Sequence, residues 1–203
     1  MRDPDERGLK TLPWTRRFPE KFIERCGYDI RPRLGELMDG SDAKLSVDYW
    51  DTVGELFVNG FAATVGEWCR ENGLIFTGHI DAEESLNYAV YGSGDPYEYY
   101  KQFTWPGIDT IFTYYRINDY SYNIAPKLAA SAAHFHGQER VLSETYTVSG
   151  WDIRLCDMKR IFNRLMLHGI NFVQFMGARY AFMPGSDSSA MTNNWQNPLF
   201  KHY

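Results

Sequence analysis

Val141-Leu142-Ser143-Glu144 is a short apolar run that ends on a carboxylate, and three similar runs share the last two-thirds of the chain. They are Leu74-Ile75-Phe76-Thr77-Gly78-His79, Ile108-Asp109-Thr110-Ile111-Phe112-Thr113 and Ile170-Asn171-Phe172-Val173-Gln174-Phe175. Stretches with helical spacing separate most of them. Strand, helix, strand is how a parallel sheet is written, because parallel neighbours need a crossover between them. The expected fold class is α/β: a partial (β/α)8 barrel of about four parallel strands with flanking helices. A complete barrel takes about 250 residues. With 203 residues and no strand before Leu74, the pattern matches the second half of a barrel. Chemistry in such folds sits at the carboxyl ends of the strands, and these ends carry His79, Glu144 and Gln174.

Between the runs the helical signals are clear. Phe22 and Ile23 share one side of a short amphipathic helix over 18–26, closed by Gly27. A second short segment covers 33–38. The longest helix is expected over 48–71, where Tyr49, Val53, Leu56, Phe57, Phe61, Val65, Trp68 and Cys69 recur at intervals of three or four until Asn72-Gly73. Asp95-Pro96 reads as a turn before 97–103. Residues 126–136 form an alanine-rich helix able to lie close on a sheet, and 157–168 form the next. Residues 1–203 read as a single domain, with 1–17 irregular and 178–203 a loop-like end rich in Ser, Asn and Gly.

Composition narrows the function. A net charge of −5 without basic clusters argues against nucleic acid. No apolar stretch reaches the roughly 20 residues of a membrane span. Residues 1–7 lack a signal-peptide core, so the chain reads as soluble without its own export signal. Cys26, Cys69 and Cys156 are too scattered for a disulfide framework or zinc site, and Cys69 and Cys156 read as small buried hydrophobes. Aromatic residues make up 16% of the chain, a surplus that can fill a core or, as Tyr and Trp near polar loops, supply platforms for stacking sugar rings or bases.

Glu144 can act as nucleophile, base or metal ligand, or it can simply cap loop amides or pair with an Arg. His79, Asp81, Glu83 and Glu84 form an acidic cluster suited to proton transfer or a hard cation such as calcium. The same acids also suit the solvated first turn of a helix. Trp151, Tyr114, Tyr115 and Tyr180 fall near expected strand ends and could stack on a sugar ring. His134-Phe135-His136 resembles a metal pair but sits at a helix end away from the strand termini. Gly92-Ser93-Gly94 lacks the phosphate-loop pattern, and no Gly-x-Ser-x-Gly elbow is present.

Several phrases resemble one family. These are Leu12-Pro13-Trp14-Thr15, Phe18-Pro19-Glu20-Lys21-Phe22, Gly27-Tyr28-Asp29-Ile30 and Gly73 to His79 with Glu83-Glu84. Pro106-Gly107-Ile108-Asp109, Arg140 to Thr145 with Ser149-Gly150-Trp151, the run at 171–175 and Gln196-Asn197-Pro198 follow in order. The ordered set resembles the family 106 α-L-rhamnosidase-like glycoside hydrolases of bacteria and their family 2-related neighbours. The resemblance implies a catalytic barrel within a longer, periplasmic or secreted chain. By that match the four strands are five to eight, and Glu144 closes strand seven. Glu144 and Glu83 are carried over as the catalytic carboxylates, and His79, Gln174, Trp151, Tyr115 and Tyr180 as sugar-holding residues. Hydrolysis needs two carboxyls about 5–5.5 Å apart for retention, or about 6.5–9.5 Å for inversion. No cofactor is required by the residues, although the family implies calcium at the sugar. The expected partners are a carbohydrate of plant type and either the first half of the barrel or a second copy. Tyr180-Ala181-Phe182-Met183-Pro184-Gly185 departs from the more basic loop of the family, and the acid that usually ends strand four is not among these residues.

Overall fold

The computed structural model describes residues 11–81, 83–110, 124–146 and 154–175. In chain order the elements are α1 (Phe18–Cys26), a 3-10 turn (Arg31–Arg33), α2 (Leu34–Asp39), α3 (Ala43–Phe57), a π-helical turn (Val58–Ala63) and α4 (Thr64–Glu71). Next come β1 (Thr77–Gly78), α5 (Leu86–Ser93), α6 (Pro96–Tyr100) and β2 (Trp105–Thr110). The last are α7 (Ala125–His136), β3 (Leu142–Thr145), α8 (Leu155–Leu167) and β4 (Phe172–Phe175). The strands form one parallel sheet in the order β1-β2-β3-β4. Four parallel strands with flanking helices are the expected α/β partial barrel.

Register decides what each face carries. Gly107, Leu142 and Phe172 are partners across β2, β3 and β4, and Asp109, Glu144 and Gln174 are partners one pleat later. These residues share one face, because side chains alternate along a strand. The Trp105 and Phe172 rings approach on it at 5.4 Å. The other face carries Ile108, Ser143 and Val173, and it packs against the helices. Ile108 is fully buried in a cluster with Ala125, Ala129, Ala132 and Ala133 of α7. Burying a side chain of that size contributes about 1.5–3 kcal/mol, and the alanines let α7 lie flat on the sheet, as their spacing suggests.

A second cluster joins Phe18 and Phe22 of α1, Ile30, Leu37 of α2, and Leu45 and Tyr49 of α3. The Tyr49 hydroxyl donates to the Pro13 carbonyl, and the Trp50–Tyr91 ring contact at 4.6 Å links α3 to α5.

Several expected bounds move, each for a local reason. The long helix starts at Ala43 rather than residue 48, because Asp42 caps it by accepting from the Leu45 amide at 2.9 Å. Its middle relaxes into the π-helical turn. The short second segment splits into the 3-10 turn and α2. Pro96 opens α6, with Asp95 accepting from the Tyr97 amide at 2.8 Å. The α8 helix begins at Leu155, not 157. The first strand shrinks to Thr77–Gly78, and Leu74 and Ile75 are exposed. Phe76 instead stacks on Phe103 at 4.2 Å and accepts the Thr104 amide. The second strand starts at Trp105, three residues earlier than expected. Cys69 is buried as expected, whereas Cys156 is exposed on the first turn of α8.

Helices α3 and α5 meet where two glycines touch. A Cβ on Gly54 would lie 2.7 Å from the Gly94 Cα, and Gly94 itself has φ +76°. Gly54→Ala is therefore expected to destabilise the chain by about 1–3 kcal/mol through overpacking, read as a lower urea midpoint at unchanged slope.

Candidate functional site

The carboxyl ends of β1, β2 and β3 bring His79, Asp109 and Glu144 together. The imidazole lies between the two acids, with Nδ1 3.8 Å from Asp109 Oδ2 and Nε2 3.8 Å from Glu144 Oε2. Those distances exceed a hydrogen bond and become ion pairs when the ring is protonated. His79 Nδ1 also lies 3.2 Å from its neighbour's carbonyl at Ile80. All three side chains are partly exposed, at 37% for His79, 23% for Asp109 and 25% for Glu144. Gln174 continues the row on β4 and is exposed, with its Nε2 3.4 Å from the Phe175 carbonyl.

Glu83 sits beneath this row rather than in it. It is 2% exposed, and its oxygens accept the Asp109 amide at 2.6 Å and the Ile80 amide at 3.0 Å. The Tyr100 hydroxyl lies 3.3 Å from Glu83 Oε2 and 2.8 Å from the Gly107 carbonyl. Burial pushes the Glu83 carboxyl well above its ordinary range, and the nearby Asp109 charge pushes the same way. The amide donors oppose that shift and are outweighed. With one hydroxyl proton, Tyr100 can serve Gly107 while a protonated Glu83 donates to the phenol oxygen.

The chain just past Glu144 is held in an unusual conformation. Tyr146 has φ +73°, a left-handed value that costs a non-glycine residue roughly 1 kcal/mol. Its hydroxyl donates to the Met158 carbonyl of α8 at 2.9 Å, its ring lies 5.1 Å from that of Phe175, and burial pushes it up to about 12.

Asp109 and Tyr100 were not singled out by sequence reasoning. Reading the second strand from Ile108 put Asp109 at its beginning, whereas the strand from Trp105 makes it the penultimate residue. The signal was Pro106-Gly107, which belongs inside the strand: a Cβ on Gly107 would lie 2.6 Å from the Gly78 carbonyl where β1 and β2 converge. Trp151, Tyr114, Tyr115 and Tyr180, and the end segment 178–203, lie outside the described residues. His136 Nε2 donates to the Tyr97 carbonyl at 3.0 Å, remote from the strand ends, as expected of a structural histidine. Among the described residues no three His, Cys, Asp or Glu side chains are grouped to hold a metal ion. The described residues therefore do not by themselves fit the calcium that the resemblance implies. No helix among them is long and apolar enough to cross a membrane.

A family model described as alpha-L-rhamnosidase, glycoside hydrolase family 106, matches residues 1–185. The chain belongs to that family. It is also similar, at 25% identity over 187 residues, to a protein of Formosa agariphila named "Putative beta-glucuronidase". The match covers 89% of this chain and 15% of that protein, so the chain spans a small part of the length of this curated relative. Both similarities lie among glycosidases, and the glycoside hydrolase reading of the ordered motifs holds.

The raised Glu83 carboxyl has a consequence for stability. The folded chain keeps that proton to higher pH than the unfolded chain does. Its contribution is present in full below the ordinary glutamate value of 4.5 and is lost as pH rises through the folded value. As pH rises above the ordinary glutamate value, wild type should therefore lose more unfolding free energy than Glu83→Gln. Urea titrations of both chains check this, and parallel profiles would contradict it.

Proposed function

We propose that the row at the strand ends hydrolyses glycosidic bonds, with an α-L-rhamnoside or a similar deoxyhexoside of plant-type polysaccharide as substrate. The observation that carries this reading is the pair of in-register, partly exposed carboxylates, Asp109 and Glu144, with His79 between them. Glycoside hydrolysis needs two carboxyls flanking the scissile bond, one giving a proton and one attacking or activating water. Glu144 is the reacting carboxylate in this reading. Asp109 is better placed than Glu83 to be its partner on this chain, because Glu83 is buried and both its oxygens hold backbone amides. His79 and Gln174 would hold sugar hydroxyls, and Trp151, Tyr115 and Tyr180 remain the proposed stacking residues. A polysaccharide substrate would place the reaction outside the cytoplasm.

The open sheet supports a partner for the barrel. Among the described residues β1 and β4 end the sheet, and Trp105, Leu142 and Phe172 on the face of the row are only half-buried. Further parallel strands, from a longer form of the same chain or from a second copy, would close that face around the site. The same open edges favour a second reading, a partial barrel that no longer catalyses and binds sugar weakly, because unpaired edges are a liability.

Aryl α-L-rhamnoside hydrolysis by the full-length protein separates the two. Wild type should turn over, Glu144→Gln should lower kcat by about 100–10,000-fold, and Asp109→Asn should also lower it. Near-normal turnover by Glu144→Gln would remove Glu144 from the reaction. A folded wild type silent on a panel of aryl glycosides, with or without calcium, would favour the second reading.

A further inference from the structure

We propose that Glu83 is a positioning residue, whose buried carboxyl fixes the loop carrying His79 and the end of β2 carrying Asp109 relative to Glu144. The inference rests on the proposed site but not on its chemistry. One carboxyl side chain ties its own loop to the end of a strand 26 residues further along the chain. Its Oε1 takes the amide of Asp109 itself, and its Oε2 takes the amide of Ile80, the residue after His79. Tyr100 extends the tie to Gly107, two residues before Asp109 on the same strand. The backbone at Ile80 and at Asp109 is thus set by one side chain, while neither the His79 nor the Asp109 side chain is used in the tie. The neighbouring strand cannot do this alone, since β1 pairs with β2 through only Thr77–Trp105 and Gly78–Pro106 and stops short of His79.

Glutamine cannot reproduce the tie. Its amide nitrogen would face a backbone N–H on one side, donor against donor, where either form of the acid keeps a lone pair for each amide. His79 and Asp109 would then lose their fixed separation, and misplacement by about 1 Å at a reacting centre can cost 100-fold in rate.

The test compares Glu83→Gln with Tyr100→Phe, which loosens the same tie more gently, and with Leu165→Ala, a cavity variant in α8 away from the site. In the chain studied by NMR, Glu83→Gln and Tyr100→Phe should shift the Asp109 amide and the His79 ring protons, whereas Leu165→Ala should leave both in place. In the full-length protein, Glu83→Gln should lower kcat by about 10–100-fold with KM changed less than about twofold, and Leu165→Ala should leave kcat within about twofold despite a similar loss in Tm. Should Glu83→Gln fail to fold, Tyr100→Phe gives the same two readings with a smaller drop. Unmoved His79 and Asp109 signals in a folded variant would overturn the proposal, as would a kcat loss no greater than that of Leu165→Ala. If the wild-type protein cleaves no glycoside, the functional reading fails while the NMR comparison still decides the role of Glu83.

Discussion

The parallel hydrogen bonding of β3 between β2 and β4 is the constraint on which the rest of the site depends. It pairs Asp109 with Glu144 and Glu144 with Gln174, so three polar side chains from distant parts of the chain stand in one row. A slip of one residue would turn Glu144 toward the helices and put Ser143 or Thr145 in its place, because strand side chains alternate with a period of two. Burial of Ile108 against α7, and of Val141 and Ile170 beside it, holds the register, since the same slip would bring their strand neighbours into the core.

The row is polar and partly wet, but the layer beneath it is not. Glu83 is removed from water there, an arrangement that costs free energy unless its hydrogen-bonding capacity is met. Two amides and the Tyr100 hydroxyl meet it. The layer is walled by Tyr99, Tyr100 and Phe103, whose rings approach one another at 5.0 to 6.1 Å. Many of the aromatic residues in the described part therefore belong to cores rather than to a sugar platform, as Phe18, Phe22 and Tyr49 do in the helical cluster. Rigid surroundings of this kind suit a reaction in which carboxyl spacing decides the stereochemical course.

Much of the architecture was legible because its signals are local. Gly27, Asn72-Gly73, Gly137 and Gly169 mark helix ends in the sequence, and the alanines of α7 declare a face that must lie close to something flat. Fold class followed from the order of runs. The strand limits did not, since an apolar run such as Leu74-Ile75-Phe76 is equally compatible with strand or with an exposed approach to one, and tertiary contacts between Phe76 and Phe103 chose the latter. The three-residue error at β2 hid Asp109, although Glu144 was visible from its run alone. The role of Glu83 could not be read at all: an acid beside His79 looks the same in sequence whether it faces water or lies under a tyrosine. Its burial is a property of where α6 packs.

In the proposed function, sugar binds across the row formed by His79, Asp109, Glu144 and Gln174. A crystal structure of the full-length protein soaked with L-rhamnose, using Glu144→Gln to hold the site intact, tests it most directly. Sugar density is expected against the side chains at positions 79, 109 and 144, at the carboxyl ends of the strands. Sugar bound elsewhere, with this row left to solvent, would contradict it.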